Sequence, residues 1–458
     1  MDIPERAPVV IIGGGAVGAS ILYHLGLAGR SGCVLLERDE LTAGSTWHAA
    51  GNCPNFATSW AVMNIQRYST ALYRGLAEAV EYPINYHVTG AVRLAHSAER
   101  MAEFEHVRAM GAAQGLRMRM MDVEEVRACH PLLRTHDLVG GLWDPEDGDI
   151  DPAQLTQALA RGARTHGGIV LRHSAATGVT CMDPGWIVHT ARGDIACDHV
   201  VNAAGYYAGR IAEWFALHGR PPLPMAVMSH QYLLTEPVPE IADWTRTHGR
   251  KTPMIRDPDA SYYLRQEKTG LNLGPYERDC VAEWTSGDLP EDFSFRLWQQ
   301  DLDRLEPYIA DAMERVPVLS EAGISSVVNG PIPYAPDGLP LLGPMPGVPN
   351  AWDANSFTFG IAQAGGAGRV MADWILRGAP DWDCRDVDPR RFGAWASDRT
   401  YAVARARETY GHEYAMHFPH ARWPAGANRL TSPLHDRLRG QGAVMAPHGG
   451  WERATWFA

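Results

Sequence analysis

The sequence of 458 residues lacks the cysteine pattern of a disulfide-stapled or zinc-stapled fold. Its seven cysteines (Cys33, Cys53, Cys129, Cys181, Cys197, Cys280, Cys384) are odd in number and scattered, with no Cys-x-x-Cys pair, so reduced thiols and no metal site are expected. It also lacks an excess of positive charge. With 41 basic against 53 acidic residues the net charge is −12 and the pI about 5.9, which leaves no electrostatic footprint for nucleic acid or an anionic membrane. The start, MDIPERAPVV, places two acids and a proline before any apolar run, unlike a secretory signal, and a cytoplasmic location is expected. No uninterrupted membrane-spanning run is evident. Residues 8 to 29 come nearest, but they hold six glycines in a chain of mean hydropathy −0.23, so membrane insertion is not expected. No internal repeat or low-complexity tract is evident. What remains, 45% apolar and 21% charged residues, is the balance of a folded globular chain of about three units at roughly 150 residues each.

The patterning predicts alternating strands and helices. Ala7 to Ile12 reads as a strand buried on both faces, Ala16 onward has helical spacing, and Cys33 to Leu36 completes a βαβ unit, so a parallel sheet begins near residue 7. Further helices are predicted from Met63 to Glu81, from a cap at Ser97 through Gly111, and from Asp151-Pro152 to a stop at Gly167-Gly168. Strands are predicted at Ala91 to Ala95, Ile169 to Arg172 and Asp198 to Asn202, the last leading into a helix from Ala208 to His218. From Pro221 the texture changes to strands (Met228 to Thr235, Tyr262 to Gln266, Leu271 to Gly274), then a helix from Phe293 to Met313, as for a separate substrate layer. Gly365-Gly366 is read as introducing a last helix, Ala367 to Leu376. Everything after about Ala379 reads as appended: an Asp/Arg-rich segment, a helix near Arg399 to Tyr410, and a loop-rich tail.

Between the first strand and helix, Gly13-Gly14-Gly15-Ala16-Val17-Gly18 satisfies G-x-G-x-x-G, whose glycines let backbone approach a pyrophosphate at the positive helix N-terminus. Glu37, after Leu36 at the end of the second strand, lies nineteen positions beyond Gly18, where a carboxylate can accept ribose hydroxyls. Together these predict a dinucleotide site without choosing between NAD and FAD.

The segment Leu41-Thr42-Ala43-Gly44-Ser45-Thr46-Trp47-His48-Ala49-Ala50-Gly51 resembles the dimethylglycine and sarcosine dehydrogenases, in which it carries the histidine bonded to the flavin 8α carbon. The resemblance continues through Gly148 to Pro152, Val201 to Gly205, Ser229-His230-Gln231-Tyr232, Ser261 to Glu267, Gly274-Pro275-Tyr276-Glu277, Val328 to Pro331 and Asp373 to Leu376. It implies FAD, linked covalently through His48, with Ala43 to Trp47 and Gly51 beside it. A neutral imidazole is a good nucleophile toward an electrophilic carbon, which agrees. The implied fold is α/β: a glutathione-reductase-like FAD-binding domain with an inserted mixed-sheet substrate domain, as in D-amino-acid oxidase. On that plan residues 1–385 form the oxidoreductase unit. FAD pieces run over about 7–86, 140–220 and 316–380, and substrate pieces over about 87–139 and 221–315.

The resemblance implies oxidative demethylation of an N-methyl amino acid such as dimethylglycine or sarcosine, with hydride passing to flavin N5 and the iminium hydrolysing to formaldehyde. A longer-chain N-methylamino acid oxidase and a flavoprotein subunit without catalysis are the alternatives. The electron acceptor would be an electron-transfer flavoprotein, a quinone or oxygen. It places His230 and a tyrosine, Tyr262 or Tyr263, on the substrate side; adjacent strand residues face opposite ways, so only one can enter the site, and Tyr263 is preferred. An amine yields hydride only with its lone pair free, which suits a histidine near neutral pH. Thr177, Gly205 and Tyr207 fall where the family places adenine and pyrophosphate neighbours, and Ser356, Phe357, Thr358, Phe359, Gly360 and Ile361 where it passes the isoalloxazine. There the family commonly has glycines at the positions of Ser356 and Thr358, which leaves less backbone freedom here. Arg265, like Arg256, is a candidate to hold a substrate carboxylate, although structural roles are favoured for both. The acidic loop Asp144 to Asp151 departs from a calcium loop and is read as solvated. Residues 386–458 resemble the entry to the family's folate-binding, aminomethyltransferase-like half. Without that half, release of free formaldehyde and indifference to tetrahydrofolate are expected.

Overall fold

The computed structural model describes residues 3–416 and 423–458. Met1 and Asp2 of the N-terminal reading, and positions 417–422 of the loop-rich tail, lie outside the described residues. Strand Arg6–Ile12 pairs in parallel with Val34–Leu36 on one side and Gly193–Asn202 on the other. Its side chains alternate: Val9 and Ile11 enter one core, Val10 and Ile12 another, so both faces are covered. Among the described residues the sheet has eight strands, in the order Leu341–Pro344, Ala351–Asn355, Gly193–Asn202, Arg6–Ile12, Val34–Leu36, Ile169–Leu171. Trp186–Thr190 and Ala176–Cys181 extend it from Gly193–Asn202. Helices Ala16–Leu27, Trp60–Ala79, Pro152–Thr165 and Gly360–Arg377 contribute to the core that receives Val9 and Ile11. Pro152 occupies the first turn of its helix, and the Asp151 carboxylate accepts the Gln154 amide at 2.9 Å.

A second sheet of nine strands, also among the described residues, contains Ala91–Ala95, Arg119–Met121, Gly140–Asp144, Ala226–Thr235, Met254–Asp257, Tyr262–Glu267, Gly270–Pro275, Val281–Glu283 and Ile324–Tyr334. It is mixed: Met254–Asp257 runs parallel to Ala91–Ala95, and the other pairings are antiparallel. Gly140–Asp144 and Ile324–Tyr334, assigned from sequence to the cofactor pieces, belong to this sheet. The pairs Ala95–Gly140 and Thr235–Ile324, 45 and 89 positions apart, leave no trace in local patterning.

Several helix limits differ from expectation for tertiary reasons. Gly365-Gly366 does not precede a helix but lies inside Gly360–Arg377. A Cβ on Gly366 would stand 2.4 Å from the Ile65 carbonyl oxygen, and one on Gly368 2.3 Å from Ser20 Oγ, so these glycines let the helix pack backbone-close on two neighbours. Alanine at 366 would gain about 1 kcal/mol in helix propensity. The backbone clash should outweigh it, and Gly366→Ala is expected to destabilise the protein by about 1–3 kcal/mol net. An unchanged urea midpoint would refute the close-packing account.

The helix expected from Phe293 begins at Leu302, capped by Asp301. The preceding residues spend their amides elsewhere: Phe295 on the Ala43 carbonyl at 3.0 Å and Trp298 on that of Asn329 at 2.9 Å. The helix expected over Ala208 to His218 ends at Glu213 and is followed by a short 3₁₀ turn closed by Gly219 at φ 88°.

The acidic loop is not solvated. Asp144, Asp147 and Asp149 are all buried: Asp147 pairs with buried Arg256, Asn55 donates to Asp144 at 3.2 Å, and Lys251 donates to Asp149 at 2.6 Å. Carboxylates in a low-dielectric interior need such partners. Asp147→Ala strands the Arg256 guanidinium and is expected to cost about 3–5 kcal/mol, read by chemical denaturation.

The chain after 385 is not merely appended. Helix Arg399–Gly411 buries Ala406 and Tyr410 against Met228, Tyr276 and Tyr334 of the second sheet. Beyond it a hairpin pairs Ala443–His448 with Trp451–Phe457.

Candidate active site

A cavity of about 680 Å³ runs from the first βα turn to the second sheet. At one end the wall carries Gly13, Gly14, Gly15, Leu36 and Glu37. Gly13 sits at φ 119°, and a Cβ there would be 2.3 Å from the Ala203 carbonyl oxygen. Gly18 stays off the wall; its missing Cβ would lie 2.0 Å from the Gly13 oxygen, so it seats the helix on the strand. The Glu37 carboxylate accepts the amides of Gly14 at 2.7 Å and Asp39 at 2.8 Å. Burial raises its pKa against the pull of those amides.

Thr177, Gly205 and Tyr207 line the same end. Tyr207 is held by its hydroxyl on the Pro290 carbonyl at 2.9 Å, with the Arg38 guanidinium 4.0 Å from its ring centroid. Helix Ala16–Leu27 begins without a side-chain cap on Gly15, and Thr46 Oγ1 accepts the Ala16 amide at 3.2 Å.

Ala43, Gly44, Ser45, Thr46, His48 and Gly51 line the middle of the cavity. Trp47 does not; it lies against the His48 ring edge-on, centroids 5.6 Å apart, and against Phe295. Ser45 Oγ donates to the Pro331 carbonyl at 2.6 Å and Tyr232 Oη to the His48 carbonyl at 2.9 Å, fastening this loop to the second sheet. Across the His48 ring lies Gly330, where a Cβ would approach to 2.4 Å. His48 is buried, its Nε2 has no hydrogen-bond partner, and burial lowers its pKa to about 4. The ring is therefore a neutral imidazole with an unspent polar atom.

His230 borders the far end, and its Nδ1 lies 2.7 Å from Tyr410 Oη. Among the described residues nothing bonds its Nε2. Desolvation, with weaker effects from His48 and Arg304, lowers its pKa to about 3. Tyr410 Oη in turn donates to the buried Glu277 carboxylate. Tyr263 is on the wall with a buried, unpartnered hydroxyl, facing Gly274, where a Cβ would stand 2.2 Å away. Tyr262 points to the other side and packs with Leu264 and Leu271, so it does not reach the cavity.

Arg265 does not reach it either. Its guanidinium donates to Glu267 at 2.6 Å and to the Ala50 carbonyl at 2.7 Å, tying the His48 loop to the sheet; it is consumed structurally, as Arg256 is by Asp147. Ser356, Phe357, Thr358, Phe359, Gly360 and Ile361 all line the cavity. Ser356 takes φ 59° without being glycine, its Oγ donating to Asn355 Oδ1 at 3.2 Å, and Thr358 Oγ1 donates to the Gly338 carbonyl at 2.8 Å.

Sequence reasoning missed Tyr410, the role of Glu277, and the ring wall of Tyr232 and Tyr276. Glu277 lies in a segment already singled out, so a buried acid beside a site tyrosine was the available signal. Tyr410 offered none, because 180 positions separate it from His230.

A glycine-rich βα turn, an acid at the second strand's end and a long cavity crossing to a mixed sheet define a dinucleotide-dependent oxidoreductase. Residues 8–374 match the family model described as FAD dependent oxidoreductase, and 377–432 that of an FAD dependent oxidoreductase central domain. The chain belongs to the FAD dependent oxidoreductase family. It is 39% identical over 99% of its length to mitochondrial dimethylglycine dehydrogenase of Rattus norvegicus, covering 52% of that protein. To mitochondrial sarcosine dehydrogenase of Mus musculus it is 34% identical over 99%, covering 49%. The chain thus spans about half the length of these curated relatives. The crystal structure of L-proline dehydrogenase from P. horikoshii superposes with TM-score 0.74 at 22% identity, covering 85% of this chain and 98% of that one, which shows the shared fold. Among the described residues no helix is long and apolar enough to cross a membrane, and no group of three or more His, Cys, Asp or Glu is placed to hold a metal ion.

The cavity fits FAD on its own chemistry. Gly13 to Gly15 bring no side chains to the wall at the helix start, Glu37 stands at the edge, and His48 Nε2 lies unpartnered midway.

Proposed function

We propose that this chain oxidises an N-methylated amino acid of dimethylglycine or sarcosine type, and that its FAD is attached covalently through His48. The observation that carries the reading is a neutral His230 with a free Nε2 on a cavity wall shared with the rings of Tyr232, Tyr263, Tyr276 and Phe359. The two relatives named above support the substrate class.

FAD, when bound, supplies the acceptor for a hydride. The protein's task is then to present an amine with its lone pair free. Aromatic faces attract a methylated ammonium by about 0.5–2 kcal/mol and exclude water from it. His230 Nε2 accepts the ammonium proton, and the unpartnered Tyr263 hydroxyl donates to the substrate. With Arg256 and Arg265 both engaged elsewhere, the substrate carboxylate is met by neutral donors. Water then hydrolyses the oxidised substrate to formaldehyde and the demethylated amine.

Anaerobic mixing with sarcosine, dimethylglycine and longer N-methylamino acids tests this. Bleaching of the flavin by the first two, with formaldehyde equal to amine consumed, is expected; no bleaching by any of them would leave a flavoprotein subunit without catalysis. Reoxidation by oxygen, a quinone or electron-transfer flavoprotein, compared side by side, identifies the acceptor.

A further inference from the structure

The proton that His230 takes from substrate has to go somewhere, and the structure offers one bonded route. His230 Nδ1 lies 2.7 Å from Tyr410 Oη, and Tyr410 Oη donates to Glu277. A phenol has one proton. If it is given to a carboxylate, the phenolic oxygen is an acceptor toward His230, so His230 must carry its proton on Nδ1 and its lone pair on Nε2, facing the cavity. All three groups belong to different elements: strand Ala226–Thr235, the loop after Gly270–Pro275, and helix Arg399–Gly411.

Resting on the amine-oxidation reading for its substrate, we infer that Tyr410 and Glu277 are positioning residues that fix the His230 tautomer and take up the proton His230 receives. The transfer balances. The substrate nitrogen gives a proton to Nε2, Nδ1 gives its proton to Tyr410 Oη, and Tyr410 gives its own to the Glu277 carboxylate. His230 and Tyr410 end neutral, and Glu277 ends as a carboxylic acid. No electrons move in this step.

The surroundings favour that end state. His230 cannot keep the charge, because desolvation opposes the imidazolium, and burial also raises the pKa of Glu277. Gln231 Nε2 lies 3.4 Å from the other carboxylate oxygen of Glu277 and donates to the Asp301 carbonyl at 3.1 Å. Arg304, which bonds Asp301 at 3.0 Å, is the cation near Glu277. Gln231 and Glu277 are both buried, so the relay ends on a carboxylate shielded from water.

Nitrogen-15 spectra of histidine-labelled, FAD-loaded protein without substrate, with His230 assigned by difference against His230→Asn, are expected to show the Nδ1–H tautomer. Glu277→Gln keeps a carbonyl oxygen to accept from Tyr410 but cannot take a proton. It should leave the tautomer unchanged, lower the anaerobic reduction rate about 10²-fold, and leave substrate affinity within twofold. Tyr410→Phe should lose both tautomer and rate, and Glu277→Asp should recover part of the rate. An Nε2–H resting tautomer, or wild-type reduction by Glu277→Gln, would overturn the inference. If no amine bleaches the unaltered protein the amine reading fails, and the tautomer alone decides the arrangement of these three residues.

Discussion

His230→Ala is expected to lower the rate of flavin reduction by amine about 10²-fold or more, measured by anaerobic stopped flow. The size follows from what the imidazole is placed to do. Its free Nε2 is on the cavity wall, and its other nitrogen is held by Tyr410, so the ring is oriented before substrate arrives. Alanine leaves the cavity with no neutral nitrogen base at that position. Because the pKa is depressed to about 3, His230 stays unprotonated and able to accept the substrate proton from pH 5 to 9, and the rate should show no inflection near 6.5. A loss under twofold would return His230 to a packing role, and an inflection near 6.5 that disappears in the variant would show that the imidazole titrates in its ordinary range instead of being held neutral by burial.

The second large effect concerns attachment of the cofactor. Denatured protein should keep yellow fluorescence on a gel, and His48→Ala should abolish it while reversible FAD binding persists. His48 Nε2 is buried without a partner and lies on the wall between the glycine turn and His230, and Gly330 leaves the ring room. A buried polar atom left unpaired carries a cost of about 1–3 kcal/mol, which occupation of the cavity would relieve. Burial also keeps the ring neutral and nucleophilic. Flavin released quantitatively by acid from the unaltered protein would refute the linkage.

Much of the cavity's cofactor end was legible because its residues are sequence neighbours. Gly13 to Gly18, Leu36 and Glu37 lie within one βαβ unit, where strand, turn and helix periodicities fix their relative placement. The Tyr262 and Tyr263 alternative was posed correctly by strand alternation, but which of them enters the cavity depends on which face of the second sheet is covered. Arg265 stayed a candidate substrate group beside its favoured structural role because nothing local announces that the Ala50 carbonyl and Glu267 claim its guanidinium. The glycines of Gly360–Arg377 were misjudged as breakers for a similar reason: glycine reads alike whether it ends a helix or admits a neighbouring backbone.

By itself, then, the sequence determined the class of the chain, the dinucleotide turn, and the family resemblance on which His48 and His230 stand. These rest on short-range periodicity and contiguous motifs, which survive without tertiary information. Only the tertiary structure decided that the acidic loop is buried against Arg256, that 324–334 crosses into the second sheet, and that a helix beyond residue 385 brings Tyr410 to His230. Those outcomes depend on which distant groups satisfy one another once water is excluded, and a buried carboxylate, phenol or guanidinium takes whichever partner the packed chain delivers.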